Sequence, residues 1–120
     1  MRVLCVDDEE LIRETVSGHL VLEGFDVETA VNGTDAIQKL QEGSFDIVLL
    51  DIDMPEVSGL DVLRYMKDHG ITARPIMLTG SLDLRSLDVS AQSGAFDYLP
   101  KPYNYHELMD AIARALAEKK

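Results

Sequence analysis

Short runs of β-forming apolar residues recur along the chain: Val3 to Val6, Phe25 to Ala30, Ile47 to Leu50, Ile76 to Thr79 and Phe96 to Leu99. Between them the apolar positions change to a helical period. Ile12, Val16 and Leu20 share one face, as do Leu60, Leu63 and Met66, and later Leu108, Ile112 and Leu116. Ile37 with Leu40, and Leu84 with Leu87 and Ala91, mark two weaker helices. Gly24, Gly43, Gly70 and Gly94 each fall after a helix and before a strand, where a left-handed residue closes a helix. Ser58 is placed to cap the third helix, and Asn104 with Glu107 three residues on forms a capping box for the fifth. The alternation predicts an α/β fold, (βα)5, with a parallel sheet, right-handed crossovers and helices on both faces. Among doubly wound orders, the flavodoxin-like 2-1-3-4-5 fits best. It needs only five strands, whereas a dinucleotide-binding fold wants a sixth strand and a G-x-G-x-x-G turn, both missing here.

The 120 residues fit one domain, taken as residues 1–120, with no repeat or linker, and 46% hydrophobic content suffices for a core. The formal charge of −11 repels phosphate backbones and anionic lipids, so neither nucleic acid nor a membrane is an expected partner. Cys5, the one cysteine, lies in an apolar run and reads as buried and inert. Without a signal peptide or a membrane-length apolar stretch, a reducing, cytoplasmic setting is expected.

Charge matters more for where it falls. Asp7 and Asp8 follow the first strand, Asp51 ends the third, Thr79 ends the fourth and Lys101 follows the fifth. In a doubly wound sheet these are the carboxyl ends of the strands, where ligands bind. With strands one and three adjacent, Asp7, Asp8 and Asp51 form a carboxylate cluster, which needs a cation to relieve its repulsion. Hard oxygen ligands favour Mg2+, with Mn2+ as a second choice. Such a site accepts phosphate oxygens, with Asp51 as nucleophile, Lys101 as a point charge and Thr79 as a hydroxyl donor. Each residue alone has a plainer reading: an acidic first turn, a turn former, a strand threonine, a solvated lysine. Their convergence on one edge outweighs those readings.

The segments V-D-D-E-E at 6–10, L-L-D-I-D-M-P-E-V-S-G-L at 49–60, M-L-T-G-S at 77–81 and G-A-F-D-Y-L-P-K-P-Y at 94–103 span nearly the whole chain. Together they resemble the response regulator receiver domain of two-component and phosphorelay signalling. The resemblance implies that Asp51 is the phospho-acceptor. It implies that Asp8, Asp51 and the main-chain carbonyl of Asp53 bind Mg2+, with Asp7 assisting through water. Thr79 and Lys101 would hold the phosphoryl oxygens, Tyr98 would turn inward as Thr79 moves, and the Lys101–Pro102 bond would be cis. The donor would be a histidine kinase or histidine phosphotransfer protein. The helix 4–strand 5–helix 5 surface would switch affinity for an effector or fused output domain, and it is also where dimerisation would occur. The protein would be a signalling switch rather than an enzyme, catalysing only its own phosphorylation and dephosphorylation. Gly80, where a small residue such as alanine is usual, and Tyr103, where phenylalanine is common, depart from the pattern. Asp53 and Ser81 occupy positions that tune dephosphorylation. His19, His69 and His106 fall on or beside helices with surface roles.

Other readings fit less well. Asp51-x-Asp53 resembles the nucleophile pair of haloacid dehalogenase-type phosphatases, but that motif usually follows the first strand, and 120 residues leave no cap domain. A flavin phosphate would be repelled by the four acids from Asp7 to Glu10. A degenerate receiver used only for docking would not need the complete set of catalytic side chains.

Overall fold

The computed structural model describes residues 1–52, 54, 56–79, 95–101 and 103–118. Strands β1 (Arg2–Val6), β2 (Asp26–Ala30), β3 (Ile47–Asp51), β4 (Arg74–Thr79) and β5 (Asp97–Pro100) form one sheet in the order β2-β1-β3-β4-β5, every pairing parallel. The described helices are α1 (Glu10–Leu22), α2 (Gly33–Glu42), α3 (Gly59–Asp68) and α4 (Tyr105–Glu118). The helix expected around Leu84, Leu87 and Ala91 lies outside the described residues, as does Gly94.

Strand alternation divides the core into two layers. Leu4, Val6, Val48, Leu50 and Met77 pack with Ala36 and Leu40 of α2 and Val62, Leu63 and Met66 of α3. Val3, Cys5, Ile47, Leu49, Ile76 and Leu78 pack with Val16 and Leu20 of α1 and Leu108, Ala111, Ile112 and Ala115 of α4. The central strands are buried on both faces, which is why they read as continuous apolar runs.

Glycine and capping residues act largely as expected. Gly24 (φ 91°) and Gly70 (φ 63°) are left-handed and close α1 and α3 with the double hydrogen bonds of Schellman motifs: Phe25 N to Leu20 O and Gly24 N to Val21 O, then Ile71 N to Met66 O and Gly70 N to Lys67 O. Gly43 differs. Its backbone is extended (φ −150°), so no left-handed turn is made there, and the chain leaves α2 straight towards Ser44, whose carbonyl accepts from Arg2. Ser58 caps α3 in a capping box with Asp61, and Asn104 and Glu107 exchange hydrogen bonds at the start of α4. Strand β4 begins at Arg74, two residues earlier than the apolar run. Pro75 hides this in the sequence, but near a strand start a proline is tolerated, and its carbonyl still accepts from Phe96 N at 2.8 Å.

Candidate functional site

At the carboxyl edge of the sheet the register carries the chemistry into one place. Val6 pairs with Leu50, so Asp7 and Asp51 continue adjacent strands. Asp7 is fully buried, Asp51 is 2% exposed and Thr79 is 3% exposed, while Asp8 faces solvent. Asp7, Asp8 and Asp51 each offer an oxygen, all lying within 4.8 Å of one another. Lys101 Nζ sits between the two buried acids, 3.1 Å from Asp7 Oδ2 and 3.4 Å from Asp51 Oδ1. Its main-chain N donates to Thr79 O at 2.6 Å, tying the loop after β5 to the end of β4.

The local sequence explains this placement. Asp7 N donates to Ala30 O at the end of β2, and Asp7 Oδ1 accepts from Glu9 N at 2.9 Å, which turns the chain into α1. Ile52 N donates to Leu78 O at 2.9 Å, extending the β3–β4 ladder just past Asp51. Gly59 opens α3 directly against Asp51. A Cβ there would overlap the Asp51 carbonyl oxygen, so the helix can approach only because the residue is glycine.

Electrostatics follow from this crowding. Burial pulls the Lys101 pKa down, but the Asp51 charge and the hydrogen bond and charge of Asp7 outweigh it, and the net shift is upward. Burial, reinforced by Asp7, pushes the Cys5 thiol up to about 12, so it stays protonated and inert. Burial, then Cys5, Asp7 and Asp51, raise the Tyr103 phenol too. Three carboxyl groups converge here, and Lys101 pairs with two of them, so the cluster holds more acids than bases. The donor set is all carboxylate oxygen. It suits a hard divalent cation such as Mg2+ and offers nothing to a soft one.

The remaining expectations divide. Tyr98 is half-buried in β5, paired with Met77, on the layer packed with α2 and α3, while Thr79 pairs with Pro100. The structure therefore brings Asp7, Asp8, Asp51, Thr79 and Lys101 to one edge and leaves Tyr98 on a neighbouring face. Asp53, Gly80, Ser81 and Pro102 lie outside the described residues, and with them the expected metal-binding carbonyl and the expected cis bond. His19, in the last turn of α1, meets Tyr105 edge-on. His69 stacks on Tyr65, and His106 is exposed; none joins the cluster. Two contacts were not read in the sequence. One is the Gly59 approach, whose signal is the glycine just after the Ser58 cap. The other is Arg13, whose Nη1 donates to Asp7 O at 2.7 Å from one turn into α1.

Residues 3–113 match the family model of the response regulator receiver domain. The chain belongs to that family. It is 39% identical over 119 residues to the transcriptional regulatory protein CutR of Streptomyces coelicolor, covering 99% of this chain but 54% of CutR, so it spans about half that relative's length. A CheY-like receiver domain protein from Methanospirillum hungatei superposes with a TM-score of 0.95 at 30% identity, over 98% of this chain and 94% of the other. The response regulator TrrA of Thermotoga maritima, solved in complex with Mg2+ and BeF, superposes with a TM-score of 0.85 at 38% identity, over 95% and 97% of the two chains. This chain is thus a receiver domain of two-component signalling. Among the described residues no helix is long and apolar enough to cross a membrane.

Proposed function

We propose that residues 1–120 form one receiver unit that accepts a phosphoryl group on Asp51 in a Mg2+-dependent reaction. The observation that carries this reading is the buried Asp7–Lys101–Asp51 arrangement beside exposed Asp8. Asp8 and Asp51 would hold the cation, with Asp7 supporting it. When bound, Mg2+ supplies the neutralising charge that allows an anionic carboxylate to meet an anionic phosphoryl donor. An Asp51 carboxylate oxygen attacks phosphorus in line, and the bond from phosphorus to the donor's histidine nitrogen breaks. Lys101 neutralises a phosphoryl oxygen from the β5 side, and the Thr79 hydroxyl donates to another. Water attack on phosphorus later restores Asp51.

The donor is a histidine kinase or a histidine phosphotransfer protein. Phosphorylation draws Thr79 towards the acyl phosphate and turns Tyr98 inward, biasing the surface that includes β5 and α4 towards an effector or a fused output domain. The likeness to CutR, a transcriptional regulator twice as long as the matched region, supports an output of that class. The likeness to TrrA, solved with Mg2+ and BeF, supports the chemistry. Intact-mass measurement with acetyl phosphate tests this. The wild type gains one phosphoryl group only with Mg2+, and Asp51→Asn gains none. Steady phosphate release with no adduct would move the case to a hydrolase.

A further inference from the structure

Asp7 sits one residue past β1, where the β1–β3 pairing has ended at Val6 and Leu50 and the end of β2 still accepts from its main chain. Each of its polar groups is held, by partners on three segments: the end of β2, the start of α1 and the loop after β5. Its N donates to Ala30 O at 3.2 Å. Its Oδ1 accepts from Glu9 N at 2.9 Å, and its Oδ2 accepts from Lys101 Nζ at 3.1 Å. Its carbonyl accepts from Arg13 Nη1 at 2.7 Å. Arg13 is half-buried and fixed on the first turn of α1, with its own N donating to Glu9 O at 3.2 Å. A cation at that point opposes the helix dipole, so α1 gains nothing from it. The same hydrogen bond sets its positive charge against the main chain of Asp7, beside the carboxylate cluster. By charge alone it works against a divalent cation in the same place.

We infer that Arg13 is a positioning residue for the metal site. By gripping the Asp7 carbonyl it fixes the turn from which Asp7 and Asp8 present their carboxylates. The inference rests on the metal reading proposed above. Charge and position predict opposite signs. Removing a positive charge tightens cation binding if charge is all Arg13 contributes. Losing the grip loosens it, by about tenfold if Arg13 behaves as outer-shell partners of metal ligands generally do.

The test is metal affinity, measured by calorimetric Mg2+ titration and by electron paramagnetic resonance of free Mn2+. The proteins are the wild type, Arg13→Met and Arg13→Lys, with far-ultraviolet circular dichroism to establish folding. The expected result is a wild type that binds, Arg13→Met about tenfold weaker, and Arg13→Lys between the two. Equal or tighter binding by Arg13→Met overturns the inference and leaves the metal site standing. A folded wild type that binds neither ion removes the metal reading, and this inference with it. Should Arg13→Met not fold, Arg13→Gln takes its place with the same outcomes.

Discussion

The two ends of the sheet hold nearly the same charges in opposite settings. At the amino edge Arg2 pairs with Asp26 at 3.3 Å and with Glu28, and its main-chain N donates to Asp46 Oδ2 at 2.8 Å. Its guanidinium also lies over the Phe45 ring. The side chains of Arg2, Asp26 and Glu28 are 37%, 70% and 43% exposed. At the carboxyl edge Lys101 meets Asp7 and Asp51, whose side chains are 0% and 3% exposed. Exposed pairs are screened by water and contribute about 0–1 kcal/mol. Buried carboxylates keep their mutual repulsion and their desolvation cost, and stability alone does not explain why they are kept. One cation set against two acids makes a solvated surface cluster at one end and a buried carboxylate site at the other.

The largest expected break between the two ends is Lys101→Met. It removes the cation paired with two buried carboxylates, and urea unfolding without metal should show a loss of about 3–5 kcal/mol. Added Mg2+ should recover much of it. A loss under 1 kcal/mol would mean that the acids are better solvated than their burial implies. Next, Mg2+ at a hundredfold excess over its Kd should stabilise the wild type by about 2.7 kcal/mol, by mass action. Asp8→Asn should remove most of that gain, whereas Asp26→Asn should leave it intact.

The glycines sharpen the same contrast. Gly59→Ala should cost about 1–3 kcal/mol, because its Cβ overlaps the main chain of Asp51 and the overlap can be relieved only by moving α3. Gly43→Ala should be near neutral: its backbone is extended, and its Cβ meets only the flexible end of Arg2, at 3.1 Å. Similar denaturation midpoints for the two variants would contradict this.

Alkali should act on the carboxyl edge as well. The unfolded chain releases the Cys5 proton near pH 9, while the folded chain holds it until about 12. Between those values the unfolded state binds fewer protons, so stability falls as pH rises. Lys101 adds to the fall, because its folded pKa is raised and its contribution is lost above 10.5. Urea midpoints should therefore drop from about pH 9 upward, less steeply in Cys5→Ala. Iodoacetamide near pH 9 should label Cys5 in the unfolded chain and spare it in the folded one. The smallest effect is Asp26→Asn, expected within about 0.5 kcal/mol of wild type.

Much of this contrast was legible in the sequence. Asp7, Asp8, Asp51, Thr79 and Lys101 each end or follow an apolar run, and parallel topology converts four separate strand ends into one edge. The apolar runs and the helical periods between them also implied a parallel sheet with helices on both faces. What stayed hidden has physical causes. Pro75 masks the start of β4, because a proline is read as a breaker until its place near a strand start is known. Gly43 carries the same local signal as Gly24 and Gly70, yet the conformation is set by where the chain goes next, towards Ser44 and Arg2. Arg13 looks like any helix-surface arginine, and only the turn at Asp7 brings its guanidinium back onto a carbonyl six residues earlier.

The central claim is that Asp51 is the group modified. Phosphorylation with acetyl phosphate and Mg2+, followed by borohydride, reduces an aspartyl phosphate to homoserine, and peptide mass spectrometry locates it. Homoserine is expected at position 51 and at neither Asp7 nor Asp8. Homoserine at another acid, or a phosphoryl adduct that borohydride leaves intact, would contradict it.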